Sequence, residues 1–177
     1  MNADFLLIER MKQGDEAAFD MFVRKYYGDI LNYCHYHCFD RVYAEDLTQE
    51  TFLHFFEKLS QYHFRGKTKN YLYTVAANLC RDFYKKKKAV PTEWEELENR
   101  EALVSLDGLL DKIAVEEAIE SLPQDLREVV ILYYFQGLKM REIADILQIN
   151  LSMVKHRLKQ AKKLLGQWMG EEGAYES

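Results

Sequence analysis

Proline is nearly missing from this chain. Two of 177 residues are proline, Pro91 and Pro123, and neither interrupts a periodic stretch, so long helices are free to run. No run approaches the ~18 consecutive apolar residues of a membrane span. The opening "MNADFLLIERMKQGDEAAF" lacks a basic patch followed by an apolar stretch, so no secretion signal is expected. Three cysteines are an odd and small count, which predicts reduced thiols in a cytosol rather than a disulfide framework. There is no internal repeat, no glycine-rich phosphate loop, and almost no strand-like alternation.

What is present is helical periodicity with segregated charge. Apolar residues make up 48% of the chain and aromatics 14%, enough to build real cores. The net charge of −5 is an average over blocks. Residues 65–88 hold eight basic and one acidic side chain, or +7. Residues 93–120 hold two basic and ten acidic, or −8. Residues 137–165 hold seven basic and two acidic, or +5. Two basic islands flanking an acidic bridge point to a polyanionic partner.

The periodicity predicts an all-α protein of two small helical domains joined by an acidic linker. The first, residues 1–88, contains a short helix marked by Phe5, Ile8 and Met11 and ended by Gly14. A second follows from an Asp15 cap to about Cys38, a third from about Val42 to Leu59, and a fourth from about Asn70 to Lys87. Residues 89–110 are the linker. The second domain, residues 111–170, is expected to hold helices near 111–121, 124–135, 140–147 and 151–167.

The strongest motif is "MREIADILQINLSMVKHRLKQAKKLL", residues 140–165. Ile143, Ala144 and Leu147 stripe a short helix. Asn150 can cap the next one, in which Leu151, Val154, Leu158, Ala161 and Leu165 form one apolar face. The opposite face offers Ser152, Lys155, His156, Lys159, Gln160 and Lys163, with no acidic residue. A short helix, a tight turn and a basic amphipathic helix are the parts of a major-groove reader. Gln148 stands where such turns usually hold glycine, which predicts strain or an altered turn there.

The other basic island, "HFRGKTKNYLYTVAANLCRDFYKKKK", interleaves Phe64, Tyr71, Tyr73, Phe83 and Tyr84 with lysines and arginines. Stacking faces beside cations suit single-stranded DNA, although Val75, Leu79 and Phe83 are expected in the core. Upstream, "AEDLTQETFLHFFEKL" places Asp46, Gln49 and Glu50 on one helical face. "NYCHYHCF" gathers two cysteines and two histidines. On a helix, Cys34 and Cys38 continue the apolar stripe of Tyr27 and Leu31, and His35 points elsewhere, so the four residues cannot surround one ion. No metal, cofactor or catalytic constellation is expected.

These motifs together resemble the extracytoplasmic-function (group IV) sigma factors of bacterial RNA polymerase, within the sigma-70 family. "AEDLTQETFL" is similar to region 2.2, "FRGKTKNYLYTVAANLCRDFYKKKK" to regions 2.3 and 2.4, and "LPQDLREVVILYYFQGLKMREIADIL" with "MVKHRLKQAKKLL" to regions 4.1 and 4.2. The chain departs from the family after "FRG", where the segment is short and Thr68 and Tyr71 stand in the places of a Phe and a Trp.

The resemblance implies a non-enzymatic, cytoplasmic factor that directs core polymerase to promoters and initiates transcription. Asp46, Gln49 and Glu50 would dock on the β′ clamp helices. Asn78, Asp82 and Lys85 would meet the −10 element, and the loop at Tyr62, Phe64, Arg65 and Lys67, with Tyr71 beside it, would hold a flipped base. Ser152, Lys155, His156, Lys159 and Gln160 would read the −35 element while their domain rests on the β flap. The acidic linker would lie in the polymerase's RNA path. An anti-sigma factor is an expected partner, with no direct membrane insertion. Two alternatives differ in what they leave unexplained. A dimeric helix-turn-helix regulator with an N-terminal sensor domain accounts for 140–165 but not for the basic-aromatic helix or the acidic face. A metal or redox sensor would centre on Cys34 and Cys38.

Overall fold

The computed structural model describes residues 2–89 and 106–168, with side chains for 2–87 and 112–167. The expected acidic linker falls largely on residues 90–105, outside the described residues.

The described residues are helical almost throughout, with no strand among them. The first unit comprises α1 (Ala3–Lys12), α2 (Glu16–Cys38), α3 (Arg41–Glu57), a single 3-10 turn at Leu59–Gln61, and α4 (Thr68–Ala89). The second comprises α5 (Leu106–Ser121), α6 (Gln124–Val130) continued by a wider π turn (Ile131–Phe135), α7 (Met140–Leu147) and α8 (Leu151–Trp168). Helix α5 begins about five residues earlier than its periodicity suggested.

Side-chain caps set three helix starts in the first unit. Asn2 accepts from the Asp4 amide at 2.9 Å, Asp15 from Ala17 at 3.0 Å, and Asp40 from Tyr43 at 3.1 Å. Each occupies one orphan donor of a first helical turn. Gly14, at φ +85°, makes the break between α1 and α2 that side chains resist.

The first core is aromatic. Phe22 lies stacked on Phe55 at 4.9 Å and edge-on to Phe52 at 6.1 Å, and Tyr33 meets Tyr73 at 5.6 Å. Thr48 and Thr51 are buried in α3, where their hydroxyls donate to the carbonyls of Ala44 and Leu47 at 2.7 Å. A buried hydroxyl so satisfied avoids the desolvation cost of an unpaired one. In α4 the deepest residues are Leu72, Tyr73, Ala76, Ala77 and Cys80. Val75, Leu79 and Phe83, expected in the core, are only half-buried. The shift has a cause: α4 packs on α2 and α3 on one side and on α7 on another, so its middle face goes deepest.

The CHYHC stretch resolves along the α2 helix. Cys34 and Cys38 are buried, with the Cys38 thiol donating to the Cys34 carbonyl at 3.0 Å. Burial pushes the Cys38 thiol up to about 11, so at neutral pH it is protonated. His35 turns outward to Glu116 at 3.2 Å. His37 packs against the Tyr33 ring at 4.5 Å. The side chains diverge, and no group of three or more metal-ligating residues converges among the described residues.

His37 couples this core to pH. Burial, reinforced by the nearby charges of Arg127 and Arg81, holds its ring down at about 3 against an ordinary 6.5. Above pH 6.5 native and unfolded chains both carry a neutral ring. Below it the unfolded chain takes a proton that the native core refuses, so stability falls between 6.5 and about 3. At pH 5 the deficit is on the order of 2 kcal/mol. Denaturant unfolding at pH 7 and pH 5 should therefore show a larger loss in the parent than in His37→Leu by about that amount. Equal losses would remove His37 from the account.

Candidate nucleic-acid interface

Three exposed faces carry the residues singled out in the sequence. On α3, Asp46, Gln49 and Glu50 are all exposed and share one side. The same side carries two residues that sequence reading had no reason to pick. Val42 is 67% exposed and Leu53 57%, one turn before Asp46 and one turn after Gln49. They leave an apolar-edged polar strip, the composition of a protein interface rather than of a solvated face. Only their placement opposite the buried Leu47, Thr51 and Phe55 distinguishes them from core residues.

On α4, Asn78, Asp82 and Lys85 are exposed at spacings of four and three, followed by Lys86 and Lys87. The preceding loop is more mixed. Arg65 and Lys67 are exposed, whereas Tyr62, Phe64 and Tyr71 are half-buried. Tyr62 meets Phe55 edge-on at 5.1 Å and lies tilted against Tyr71 at 5.1 Å, and Phe64 lies tilted against Phe5 at 5.8 Å. These rings support the loop with part of their surface and leave the rest available. Tyr73 plays no such part: it is fully buried, and its hydroxyl donates to Gln136 at 2.6 Å. Beside this loop a recess of about 410 Å³ is lined by Lys67, Lys69, Asn70 and Glu142, among others.

On α8, Ser152, Lys155, His156, Lys159 and Gln160 are exposed together. Val154, Leu158 and Ala161 are buried on the opposite face, against α6 and α7. Asn150 caps the helix, accepting from Met153 at 2.7 Å. Met153 itself is exposed beside Ser152 and His156. It was missed because an apolar residue next to Val154 reads as core. Arg157 is held back by Asp125 at 3.9 Å.

The turn between α7 and α8 shows how glycine is replaced. Gln148 adopts the left-handed conformation at φ 56°, ψ 44°, and the next amide, from Ile149, donates to Ala144 at 3.0 Å. This is the hydrogen bond that closes a Schellman-type helix end. The turn is thus of the usual shape rather than altered, and the strain falls on Gln148 alone. At the other end of α7, Glu142 accepts from the Lys139 amide at 3.0 Å, and that bond, with the Asn70 amide and the charges of Lys67 and Lys139, holds its carboxyl below the ordinary range.

The fold and these faces define an all-helical, two-unit protein with a helix-turn-helix. Residues 22–90 match the family description "Sigma-70 region 2" and residues 112–165 match "Sigma-70, region 4". The chain is 31% identical to the ECF RNA polymerase sigma factor SigW of Bacillus subtilis, over 89% of this chain and 92% of that one. It is 30% identical to the RNA polymerase sigma-H factor of Pseudomonas aeruginosa, over 92% and 91%. In fold it is similar to CnrH, solved in complex with the cytosolic domain of CnrY, with a TM-score of 0.75 at 19% identity over 97% of this chain and 100% of that one. It is also similar to the sigma factor RpoE of Bartonella quintana in complex with the anti-sigma factor NepR, with a TM-score of 0.69 at 20% identity over 88% and 98%. The chain belongs to the sigma-70 family of RNA polymerase sigma factors, in its extracytoplasmic-function group.

The left-handed Gln148 yields a direct test. A side chain costs about 1–2 kcal/mol in that conformation, and glycine does not. After the entropy that glycine loses on folding, Gln148→Gly should stabilise the chain by ~0.5–1 kcal/mol, worth a few degrees in Tm. Affinity for −35 DNA should change little. A destabilised variant would show that the Gln148 side chain contributes contacts of its own.

Proposed function

We propose that this chain brings core RNA polymerase to promoters through the three exposed faces described above, while the polymerase supplies all catalysis. The observation that carries the reading is the combination, on one chain, of an acid-free exposed face on α8, a second cationic helix face on α4, and the apolar-edged strip on α3. A lone DNA-binding regulator has no use for the third.

In this reading the Asp46–Gln49–Glu50 strip, with Val42 and Leu53 at its margins, docks on the β′ clamp helices. Asn78, Asp82 and Lys85 meet the −10 element. The loop bearing Tyr62, Phe64, Arg65 and Lys67, supported by Tyr71, receives a base flipped from the non-template strand, which lowers the cost of strand opening. Ser152, Lys155, His156, Lys159 and Gln160 enter the −35 major groove while the second unit rests on the β flap. The acidic residues between the units follow the RNA path. The factor works in the cytoplasm, where the polymerase it serves is found. An anti-sigma factor restrains it there, at the membrane where that partner is membrane-bound.

Transcription reconstituted from core polymerase, this chain and genomic promoter fragments tests the whole reading. Promoter-specific transcripts that require the chain are the expected result. Tight binding of the free protein to a palindromic site, without such transcripts, would support the dimeric regulator instead.

Two variants test the parts. Glu50→Lys should weaken co-elution with core polymerase while leaving Tm unchanged, because Glu50 is exposed. His156→Ala should change preference at one position of the −35 element, by roughly 1–3 kcal/mol. A residue on phosphate would instead weaken all sequences alike and lower the salt slope by about one. If every single-base variant of the element loses the same factor, His156 is not a base reader.

A further inference from the structure

The two units do not stand apart. Along α4, Asn70, Tyr73 and Arg81 form a stripe turned toward the second unit. Asn70 donates to Glu142 at 3.4 Å and Tyr73 to Gln136 at 2.6 Å. Arg81 grips Glu128 with two bonds of 2.6 and 3.0 Å. Glu128 is 2% exposed, so its charge has been taken out of water, and among the described residues Arg81 is the cation that compensates it. The π turn after α6 brings Phe135 onto Tyr36 at 4.4 Å. Apolar residues of both units, from Ile30 and Tyr73 to Leu132 and Ile143, belong to one continuous core.

This closed body is too small for the task proposed above. A compact chain of this length has a radius of gyration of about 16 Å, hence a diameter of ~40 Å. The −10 and −35 elements are centred about 25 base pairs apart, or ~85 Å along B-form DNA. The closed chain cannot hold both. It also turns Glu142 of α7 into the recess beside Lys67, placing a carboxylate next to a cation expected to follow the DNA backbone.

We propose that the free chain is self-latched: the Arg81–Glu128 pair and the Tyr73–Gln136 bond hold the second unit on α4, and promoter engagement requires their release. In the latched form α8 remains exposed, so the chain binds a −35 duplex, but not both elements together. Opening leaves the buried carboxylate in water, where it is stable alone. Opening therefore forfeits only the latch's own contacts, a penalty that contacts with polymerase and promoter must offset. This inference rests on the assignment of α4 and α8 as the two promoter readers.

The experiment uses the full chain in four forms: parent, Arg81→Glu, Glu128→Arg, and the charge-swapped double variant. Small-angle scattering of the free proteins reads closure without reference to function. The parent should have a compact profile, the two single variants an extended one, and the double variant a compact one again. Breaking a buried pair shifts such an equilibrium by about 100-fold. At limiting protein, the single variants should therefore transcribe a two-element promoter at about tenfold lower concentration than the parent, with binding to a −35 duplex unchanged. Recovery in the double variant guards against simple misfolding. An extended parent, or open single variants that transcribe no better, would overturn the latch. If no form supports promoter-specific transcription while scattering behaves as expected, the latch stands as a conformational device and the functional assignment fails.

Discussion

One buried guanidinium holds the arrangement together. Arg127 is 3% exposed and donates to the carbonyls of Ile119 at 3.2 Å, Glu120 at 2.7 Å and Leu122 at 3.1 Å. These are carbonyls at the end of α5, where the helical ladder runs out of donors; Ile119 also accepts from the Leu122 amide at 3.1 Å. The same group reaches the His37 carbonyl in the last turn of α2 at 3.3 Å. It lies between the rings of Phe39 and Tyr84, at 5.6 and 5.4 Å. A fork of five fixed donors suits this task in a way that lysine does not. Two helix ends that carry partial negative charge converge on one cation. Removing it would take the guanidinium donors away from four carbonyls, of which, among the described residues, Ile119 alone keeps a backbone partner, the Leu122 amide at 3.1 Å.

The consequences spread outward from there. Phe39 is held in a left-handed conformation, φ 53°, which a bulky residue adopts only where its surroundings insist. Its ring against Arg127 supplies that insistence. The charge of Arg127 also helps to keep His37 neutral. The residue that follows, Glu128, points its carboxylate at Arg81 in the first unit. Adjacent positions on α6 thus serve two purposes: one ties α5 to α2, and the other ties the whole second unit to α4.

Function follows from what this packing leaves uncovered. Helix α3 spends one side on the aromatic core and presents Asp46, Gln49 and Glu50 on the other. Helix α8 buries Val154 and Leu158 and presents its basic face. Helix α4 has three neighbours to satisfy: α2, α3 and the second unit. Asn78, Asp82 and Lys85 therefore occupy the one strip that remains. In the proposed reading the same helix carries both the promoter surface and the surface on which its own second unit sits, so contact within the chain and contact with DNA would draw on neighbouring residues.

Most of the helices were legible in sequence, because period and caps are local properties. Asp15 and Asn150 cap the helices they precede, and the stripe of α8 names its buried face through Val154, Leu158 and Ala161; on α2 the expected stripe is right at Cys34 and Cys38, whereas Tyr27 and Leu31 are half-buried and Tyr26 and Ile30 go deeper. The basic face of α8 was legible for the same reason, since a residue's side of a helix depends only on its spacing. What could not be read was whatever depends on a distant partner. Val75 and Leu79 looked like core until the second unit displaced the deepest face of α4 toward Tyr73 and Ala77. The exposure of Leu53 and Met153 was not legible, because apolar character does not say which apolar residues lack a neighbour. Nothing in the pattern around Arg127 and Glu128 marks them as buried. Their burial is decided by carbonyls at Ile119 and His37 and by Arg81, contributed by three other helices. Sequence alone determined the helices and their charged faces, through spacing and capping within each segment. Tertiary structure alone decided which charges go inside, because burying a charge depends on partners that only the folded chain brings within hydrogen-bonding distance.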